Sequence, residues 1–568
     1  MEEPARPWLK AYPSSVDWGA EIAVRPVPSL LSASVERFGD RPCLDFLGKV
    51  YSYAEVGDLV RRAAQGFAAL GVRPGVRVGL MLPNSPYYVI AYFGVLRAGG
   101  TVVNINPLYS EPELRHIISD ADLGIVVTLD LKLTFDVLER LRDGKPLTTV
   151  IVCPMADILP FAKSVLYRAL KRRDSATVVP GDNHVRFADL VANEGTYAEH
   201  PVDPIRDIAV LQYTGGTTGV PKGAMLSHAN LTANVQQCIA WFPDYQPGQE
   251  RSLAVLPFFH VFAMTVAMNL ALAVGAEIIL MPRFELKQLL STIHRRRPTT
   301  FPGVPTLFNA INKAPHLKRY DLTSIRSCIS GGAPLPVEVK AEFEALTGCI
   351  VVEGYGLSES SPVAACNPLK GVNKAGSVGM PIPRTMIEIL AIEDPTRVVP
   401  QGERGEIAVR GPQVMLGYWG QPEATAEVLR DGRLRTGDVG YLDADGYLFL
   451  VDRIKDVIIA GGYKIYPRNI EEVIYQHPKV AEAIVIGVAD AYRGQTVKAF
   501  VVPREGETIT EDELIGFLKP KLSPIELPKL VEFRRSLPKT LIGKPSKKAL
   551  QDEENARLAA QKTASAGN

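Results

Sequence analysis

The sequence predicts an α/β protein: a large N-terminal domain of parallel-rich αβ subdomains with a small β-rich subdomain, followed by a small, mobile α+β C-terminal domain. Three observations predict it. Over residues 207–356, short apolar runs lead through Gly-rich turns into helical stretches, the grammar of βαβ units whose parallel strands present ligands at their carboxyl ends. Past Thr385 the pattern changes to strands and turns. Near 451–456 the polar run DRIKD separates YLFLV from a last compact stretch. Domains are therefore expected at 1–452 and 457–553, with a hinge at 453–456 and a disordered small polar tail over 554–568.

Taken in order, VRVGLMLPNS reads as a strand, YYVIAYFGVLRAG as a helix and TVVNINP as the returning strand. DIAVLQY enters a Gly-rich loop, and GAMLSH leads to a helix that Ser227 or Asn230 would cap. IRSCIS meets the turn GGAPLP, VEVKAEFEALTG forms a helix ending at Gly348, and CIVVEGYG returns as a strand. MIEILAIE, GEIAVRGP and YLFLVDR supply the β-rich part, and AEAIVIGV, VKAFVVP and EDELIGFLKPKL the last α+β unit. Residues 252–276 carry no formal charge, a length that could span a bilayer. Pro257 interrupts them and His260 and Asn269 lie within, so they read as a buried strand followed by a buried helix. In ILPFAKSVLYRALKRRD, residues 158–174, apolar positions fall at helical spacing among Lys163, Arg168, Lys171, Arg172 and Arg173. That pattern fits a helix lying on an anionic membrane surface and, equally, an amphipathic helix packed on the body.

A formal net charge of +1 on 568 residues argues against nucleic-acid binding by bulk charge. Six cysteines without C-x-x-C spacing point away from zinc and toward a reducing compartment. MEEPARPWLKAYP lacks the basic and apolar regions of a signal peptide. A cytoplasmic protein is expected, with the inner face of the cell membrane as the surface the amphipathic stretch would meet.

The densest chemistry is TGGTTGVPKG, residues 214–223: four glycines that free backbone N–H groups to face an anion, three threonine hydroxyls and one lysine. This composition fits phosphate. It differs from the G-x-x-x-x-G-K-[ST] loop, because Val220 and Pro221 separate Gly219 from Lys222 and Gly223 follows.

YTGGTTGVPKG, the GGAP of 331–334, EGYGLSES at 353–360, RTGDVGYLDADGYLFLVDRIKD at 435–456, GGYKIYPRNIEEVI and LPKTLIGKPSKKAL at 537–550 stand in the order of the acyl-adenylate-forming superfamily, which the chain resembles over nearly its whole length. LQYTGGTTGVPKGAMLSHANL, NPLYSEPEL, GPQVMLGYWGQPEAT and PKLVEFRRSLPKT resemble, more narrowly, the bacterial long-chain fatty-acid CoA ligases. The resemblance implies two half-reactions. A fatty-acid carboxylate attacks the α-phosphorus of ATP to give an acyl adenylate and pyrophosphate, and coenzyme A then displaces AMP. Thr214, Gly215, Gly216, Thr217, Thr218, Gly219 and Lys222 would hold the β- and γ-phosphates. Glu359 would hold Mg²⁺. Gly332, Ala333 and Pro334, with Glu353, Gly354, Tyr355, Gly356 and Leu357, would border adenine, Tyr355 by stacking. Asp438 would take the ribose hydroxyls, and Arg453 the ribose or the α-phosphate.

Lys544 resembles the lysine that bridges carboxylate and α-phosphate, Lys455 the hinge, and Gly461, Gly462, Tyr463 and Lys464 the border of the pantetheine channel. His260, Gly303 and Val304 match segments bordering the acyl group. Read alone, Asp438, Arg453 or Lys455 would be an ordinary surface charge and His260 a core residue. Two departures stand out: Pro545, Ser546, Lys547 and Lys548 replace an aliphatic pair and two arginines, and Arg433 and Arg435 stand where long-chain relatives often carry Trp and His. Chain length stays open, and the motifs also admit a medium-chain or aryl acid, or a carrier-protein thiol as acceptor.

Overall fold

The structure, a computed structural model, describes residues 6–142, 146–171, 173–176, 178, 181, 183–214, 221–461, 463–490, 492–539 and 546–566. The chain divides into two compact units, one of residues 1–386 and 409–434 and the other of 387–408 and 435–568. This division differs from a boundary at 452, because residues 387–408 and 435–452 join the C-terminal stretch in one unit.

Among the described residues the first unit holds a nine-stranded and an eight-stranded sheet. In the nine-stranded sheet a parallel run passes from Pro42–Phe46 through Glu277–Leu280, Arg251–Ala254, Thr300–Gly303 and Ser327–Ser330 to Ile350–Gly356. In the eight-stranded sheet the parallel strands are His184–Arg186, Thr149–Cys153, Ile125–Leu129, Arg77–Met81, Thr101–Asn104 and Ile208–Thr214. Several of these strands are buried along their whole length, Thr101–Asn104 and Ile125–Leu129 among them. They therefore read as nearly continuous apolar runs, without the alternation of a half-exposed sheet. Helix Pro86–Arg97 is buried all round except at Arg97, as its continuous apolar sequence requires.

Local signals place the helix ends where the sequence puts them. Ser227 caps His228–Trp241 in a capping box with Asn230. Val337–Thr347 ends on Gly348 at φ +73°, a left-handed turn that glycine enters without a Cβ penalty. The uncharged stretch becomes the buried strand Arg251–Ala254, a buried π-helix Ala263–Asn269 and Leu270–Ala273. Among the described residues no helix is long and apolar enough to cross a membrane. Helix Phe161–Leu170 has no buried residue, and Phe161 and Leu170 are 86% and 71% exposed.

The second unit holds strands Met386–Leu390, Gly405–Arg410, Arg433–Leu442 and Leu448–Arg453 apart from the ends that fall in the first. A further sheet orders Tyr463–Ile465, Ile458–Ala460, Gly494–Pro503 and Val480–Asp490, with Leu530–Phe533 parallel to Gly494–Pro503. Ile470, Ile474, Leu514 and Leu518 from helices Pro467–Tyr475 and Glu511–Leu518 close its core over Val485, Val497 and Val501. The stretch expected as a disordered tail is helical: Lys547–Ala566 runs through 554 with Leu550 and Glu554 buried. Its Ala, Leu, Gln, Lys and Arg content favours helix, and polarity alone hid that.

Candidate active site

Strands Thr300–Gly303, Ser327–Ser330 and Ile350–Gly356 end side by side, Gly303 opposite Ser330 and Ser330 opposite Glu353. Their carboxyl ends bring Gly303 and Val304, the turn of Gly332, Ala333 and Pro334, and the run from Glu353 to Leu357 to one edge, where open parallel sheets take ligands. The Gly331 N–H donates to the Gly303 carbonyl at 3.2 Å. The Leu335 N–H donates to the Glu353 carboxylate at 3.1 Å, so Glu353 fixes the turn beside it. Tyr355 is buried, 7% exposed. At Gly356 a Cβ would stand 2.0 Å from the Pro362 carbonyl oxygen, so only glycine lets the two backbones approach.

His260 follows a loop pinned by Asn84. The Asn84 amide donates to the Ala254 and Leu256 carbonyls (3.0 and 2.9 Å) and its oxygen accepts from the Phe258 N–H (2.8 Å). The His260 ring lies against Phe259, centroids 4.8 Å apart. Downstream, the Thr265 hydroxyl donates to the Ser361 carbonyl at 2.8 Å, tying this segment to the one that carries Glu359. In the sequence Asn84 carries no site signal, since one asparagine after a proline also signals a turn.

The Gly-rich stretch expected to hold phosphate connects the two strands of a hairpin. Ile208–Thr214 and Lys222–Ser227 pair antiparallel, with Tyr213 opposite Gly223 and Thr214 opposite Lys222. Thr214 and Lys222 thus stand together at its mouth, the Thr214 hydroxyl donating to the Lys222 carbonyl at 3.4 Å. Gly215, Gly216, Thr217, Thr218 and Gly219 lie outside the described residues.

Glu359 sits in the 3₁₀ turn Ser358–Ser360. Its carbonyl accepts from the Met415 N–H at 2.8 Å, and its carboxylate Oε1 accepts from the Tyr418 hydroxyl at 2.8 Å. The Lys222 ammonium lies 5.1 Å from the centre of the Tyr418 ring. Burial, and then the Glu359 charge, raise the Tyr418 phenol well above its ordinary pKa, so it remains a donor near neutrality. Lys222 and Glu359 therefore meet at one residue that the motifs did not single out. Among the described residues no three His, Cys, Asp or Glu side chains gather into a metal site. A lone carboxylate near a lysine fits Mg²⁺ arriving on a nucleotide, because Mg²⁺ takes one or two protein carboxylates and fills its shell with phosphate oxygens and water.

In the second unit, Asp438 and Arg453 stand opposite each other on paired strands. Arg453 Nε is 3.0 Å from Asp438 Oδ1, the aspartate side chain 11% exposed and the arginine 50%. Lys455 follows in the turn Ile454–Asp456. Partial desolvation, then the Arg453 charge, lower its ammonium pKa, and water moderates this because more than a third of the residue is open. Asp452 accepts from the Arg453 and Arg468 N–H groups (2.9 and 2.8 Å) and faces Lys547, whose ammonium is 3.6 Å from Asp452 and 3.3 Å from Glu471. Lys547, noted above only as a departure, thus has defined partners. Burial works to lower its pKa, but Glu471, Asp452 and Asp456 outweigh it and the pKa rises. Gly461 takes φ +59°, Tyr463 is 60% exposed and Lys464 pairs with Glu393. Gly462 and Lys544 lie outside the described residues.

The AMP-binding enzyme family matches residues 31–419, and the AMP-binding enzyme C-terminal domain matches residues 469–544. A long-chain-fatty-acid–CoA ligase of Bacillus subtilis is 44% identical over 561 residues, 97% of this chain and 98% of its own. One of Escherichia coli O6:H1 is 38% identical over 563 residues, 97% of this chain and 99% of its own. The crystal structure of ATP-bound MatB from Rhodopseudomonas palustris matches with TM-score 0.82 at 30% identity, over 93% of this chain and 99% of that one.

Proposed function

This chain belongs to the AMP-binding enzyme family, and from that premise we propose that it is an ATP-dependent, AMP-forming long-chain-fatty-acid–CoA ligase. It converts a long-chain fatty acid and ATP to acyl-AMP and pyrophosphate, then passes the acyl group to coenzyme A and releases AMP. The observation that carries this reading is the 44% identity, over nearly the full length of both chains, to a ligase of that name.

No protein nucleophile is needed, so the residues work by positioning and charge. Thr214 and Lys222, at the mouth of the hairpin loop, hold the phosphates that leave as pyrophosphate. Bound Mg²⁺ would supply charge neutralisation on the phosphate oxygens, and Glu359 would be its protein ligand. The edge formed by Gly332, Ala333, Pro334 and Tyr355 takes adenine, and the Gly303, Val304 and His260 segments border the acyl chain. Asp438 accepts from the ribose hydroxyls with Arg453 beside it, and Lys544 bridges carboxylate and α-phosphate. Rotation at Lys455 then exchanges Lys544 for Gly461, Gly462, Tyr463 and Lys464, which border the thiol's channel.

The test is acyl-CoA formation with ATP, Mg²⁺ and coenzyme A across acids from short to very long chains, with an aryl acid included, for wild type and Lys544→Ala. Turnover of palmitate-like acids is expected, with the variant losing adenylation yet converting a supplied acyl adenylate. Adenylate without thioester would point to a carrier-protein thiol, and preference for the aryl acid would overturn the long-chain reading.

A peripheral site on the inner face of the cytoplasmic membrane is part of the same proposal. Helix Phe161–Leu170 supports it: Phe161, Val165, Leu166 and Leu170 are exposed beside Lys163 and Arg168, and an apolar face ringed by cations suits anionic lipid. Arg168 is paired with Asp157 and Lys171 with Asp174, so the apolar face carries more of the binding than the charge. Flotation with phosphatidylglycerol vesicles should bring up the wild type and leave Phe161→Ser/Leu170→Ser behind. Equal flotation of both would remove the idea.

A further inference from the structure

We propose that Tyr418 is a positioning residue for the phosphate site: its hydroxyl orients the Glu359 carboxylate and its ring seats the Lys222 ammonium. The inference rests on the reading of Lys222 and Glu359 as nucleotide-binding groups.

The backbone around Tyr418 is fixed from two sides. The short strand Gly417–Tyr418 pairs antiparallel with Lys222–Ser227, Tyr418 opposite Ala224 and Gly417 opposite Met225. The Trp419 N–H donates to the Gly223 carbonyl and the Leu416 N–H to the Met225 carbonyl (2.8 and 2.9 Å), while the Met415 N–H reaches the Glu359 carbonyl at 2.8 Å. The Tyr418 N–H itself donates to the Thr425 hydroxyl at 2.8 Å, and the Trp419 indole N–H donates to the Asp120 carbonyl at 3.1 Å. One five-residue stretch therefore joins the strand leaving the phosphate loop to the turn that carries Glu359. At its centre one buried phenol is aimed between the two charged groups.

Chemistry gives that placement a purpose. A lysine and a glutamate brought together for one ligand attract each other, and a direct ion pair would occupy both before the ligand arrived. The phenol meets each group differently. Its O–H engages Glu359 Oε1 in a hydrogen bond strengthened by the carboxylate charge, which fixes the rotamer and leaves Oε2 for a cation. Its π face receives the ammonium through the ring quadrupole while leaving the N–H donors directed elsewhere.

The two functions separate by substitution. Tyr418→Phe keeps the ring and removes the hydroxyl, whereas Tyr418→Leu removes both. The readout is equilibrium ATP binding by calorimetry with and without divalent cation, plus Mn²⁺ in place of Mg²⁺ counted by electron paramagnetic resonance in the presence of ATP. Tyr418→Phe should bind metal-free ATP like wild type and weaken Mn²⁺ about tenfold, the loss of one hydrogen bond to a charged group. Tyr418→Leu should add a loss of about threefold in metal-free ATP binding, from the missing cation–π contact. Thermal unfolding of each variant shows whether it folds.

Wild-type Mn²⁺ binding by a folded Tyr418→Phe, with Glu359→Gln losing it, would overturn the inference and leave Tyr418 a packing residue. Equal loss of metal-free ATP binding in the Phe and Leu variants would overturn the division between hydroxyl and ring. If Glu359→Gln and Lys222→Ala themselves bind ATP and Mn²⁺ normally, the reading of the phosphate site is what fails.

Discussion

Two inner networks, one in each unit, bury polar groups in different ways. The first unit also buries Asp45, Glu250 and Glu277 against arginines, but its network around Gln237 is built of neutral amides. Gln237 donates to the Pro383 carbonyl, the Thr385 hydroxyl and the Gln413 amide (2.7, 3.1 and 3.1 Å), and Asn234 spans to Val363. In the second unit, two inner networks are built of charge. Lys498, 6% exposed, lies 2.8 Å from both Glu532 and Glu554, and Asp452, Lys547 and Glu471 form another cluster. Neutral amides fix geometry without depending on pH and lose only a hydrogen bond when one is removed. Buried ions fix it more stiffly, and removing one leaves another without its counter-charge. The comparison predicts an unequal sensitivity of these networks to deletion and to proton concentration.

The largest effect should come from Lys498→Met. It leaves buried Glu554 with only the half-exposed Arg557 beside it at 3.1 Å, and Glu532 with one cation fewer, so denaturant unfolding should show the second unit destabilised by about 3 kcal/mol, the lower end for a buried charge that loses a partner. Adding Glu554→Gln should recover part of that. A cost below about 1 kcal/mol for the single variant would break the comparison, because Lys498 would then be acting as a surface charge.

Acid should expose an exception in the first unit. His228 is 2% exposed and accepts the Val27 N–H on Nδ1 at 3.1 Å, and burial alone lowers its pKa from 6.5 to about 4. The unfolded chain takes up this proton below 6.5 and the folded chain refuses it until about 4. Stability from this group is therefore complete above 6.5 and is lost as pH falls toward 4, at up to about 1.4 kcal/mol per pH unit. His228→Asn keeps a short acceptor that does not titrate. Unfolding curves for wild type and variant should converge as pH falls through that window, and parallel curves would show that His228 does not carry the slope.

A smaller effect, about 1–3 kcal/mol from unsatisfied partners, is expected for Gln237→Ala in the first unit. Thermal unfolding checks it. A loss as large as that of Lys498→Met would mean that neutral and charged networks are equally brittle, and the contrast would fail.

The contrast also marks what the sequence discloses. Strands buried on both faces are legible because they are mostly apolar runs, and the Gly-rich hairpin loop because so many donors crowd between two such runs. Gly348 announces its helix end by the φ only glycine adopts freely. The contacts of Asn84, Tyr418 and Lys547 are not legible in the sequence, because their partners are remote in it: Ala254, Glu359 and Asp452. A tyrosine after a glycine or a lysine near a basic tail has an ordinary explanation until the fold supplies the partner. The division at 387 is hidden for the same reason, since it follows from which elements pack together. The continuation of helix Lys547–Ala566 past 554 is hidden because small polar residues read as a tail, although the propensity of the stretch favours helix.

The smallest stability effect separates folding from function. Lys464 and Glu393 pair on the surface, 45% and 71% exposed, where an ion pair contributes roughly 0–1 kcal/mol and salt screens it. Lys464→Ala should leave the unfolding midpoint within about 1 kcal/mol of wild type by that measure. Any change in catalysis then cannot be assigned to a damaged fold. If Lys464 borders the thiol's channel, pyrophosphate release with fatty acid and ATP stays at the wild-type rate while the coenzyme A concentration needed for half-maximal thioester formation rises several-fold. The expected asymmetry is specific to the second half-reaction, because a lysine that only paired with Glu393 would disturb neither. Equal rates in both half-reactions at every coenzyme A concentration would return Lys464 to the ordinary surface charges of the second unit. Its deeper charges would then hold the unit together without any part in choosing the acceptor.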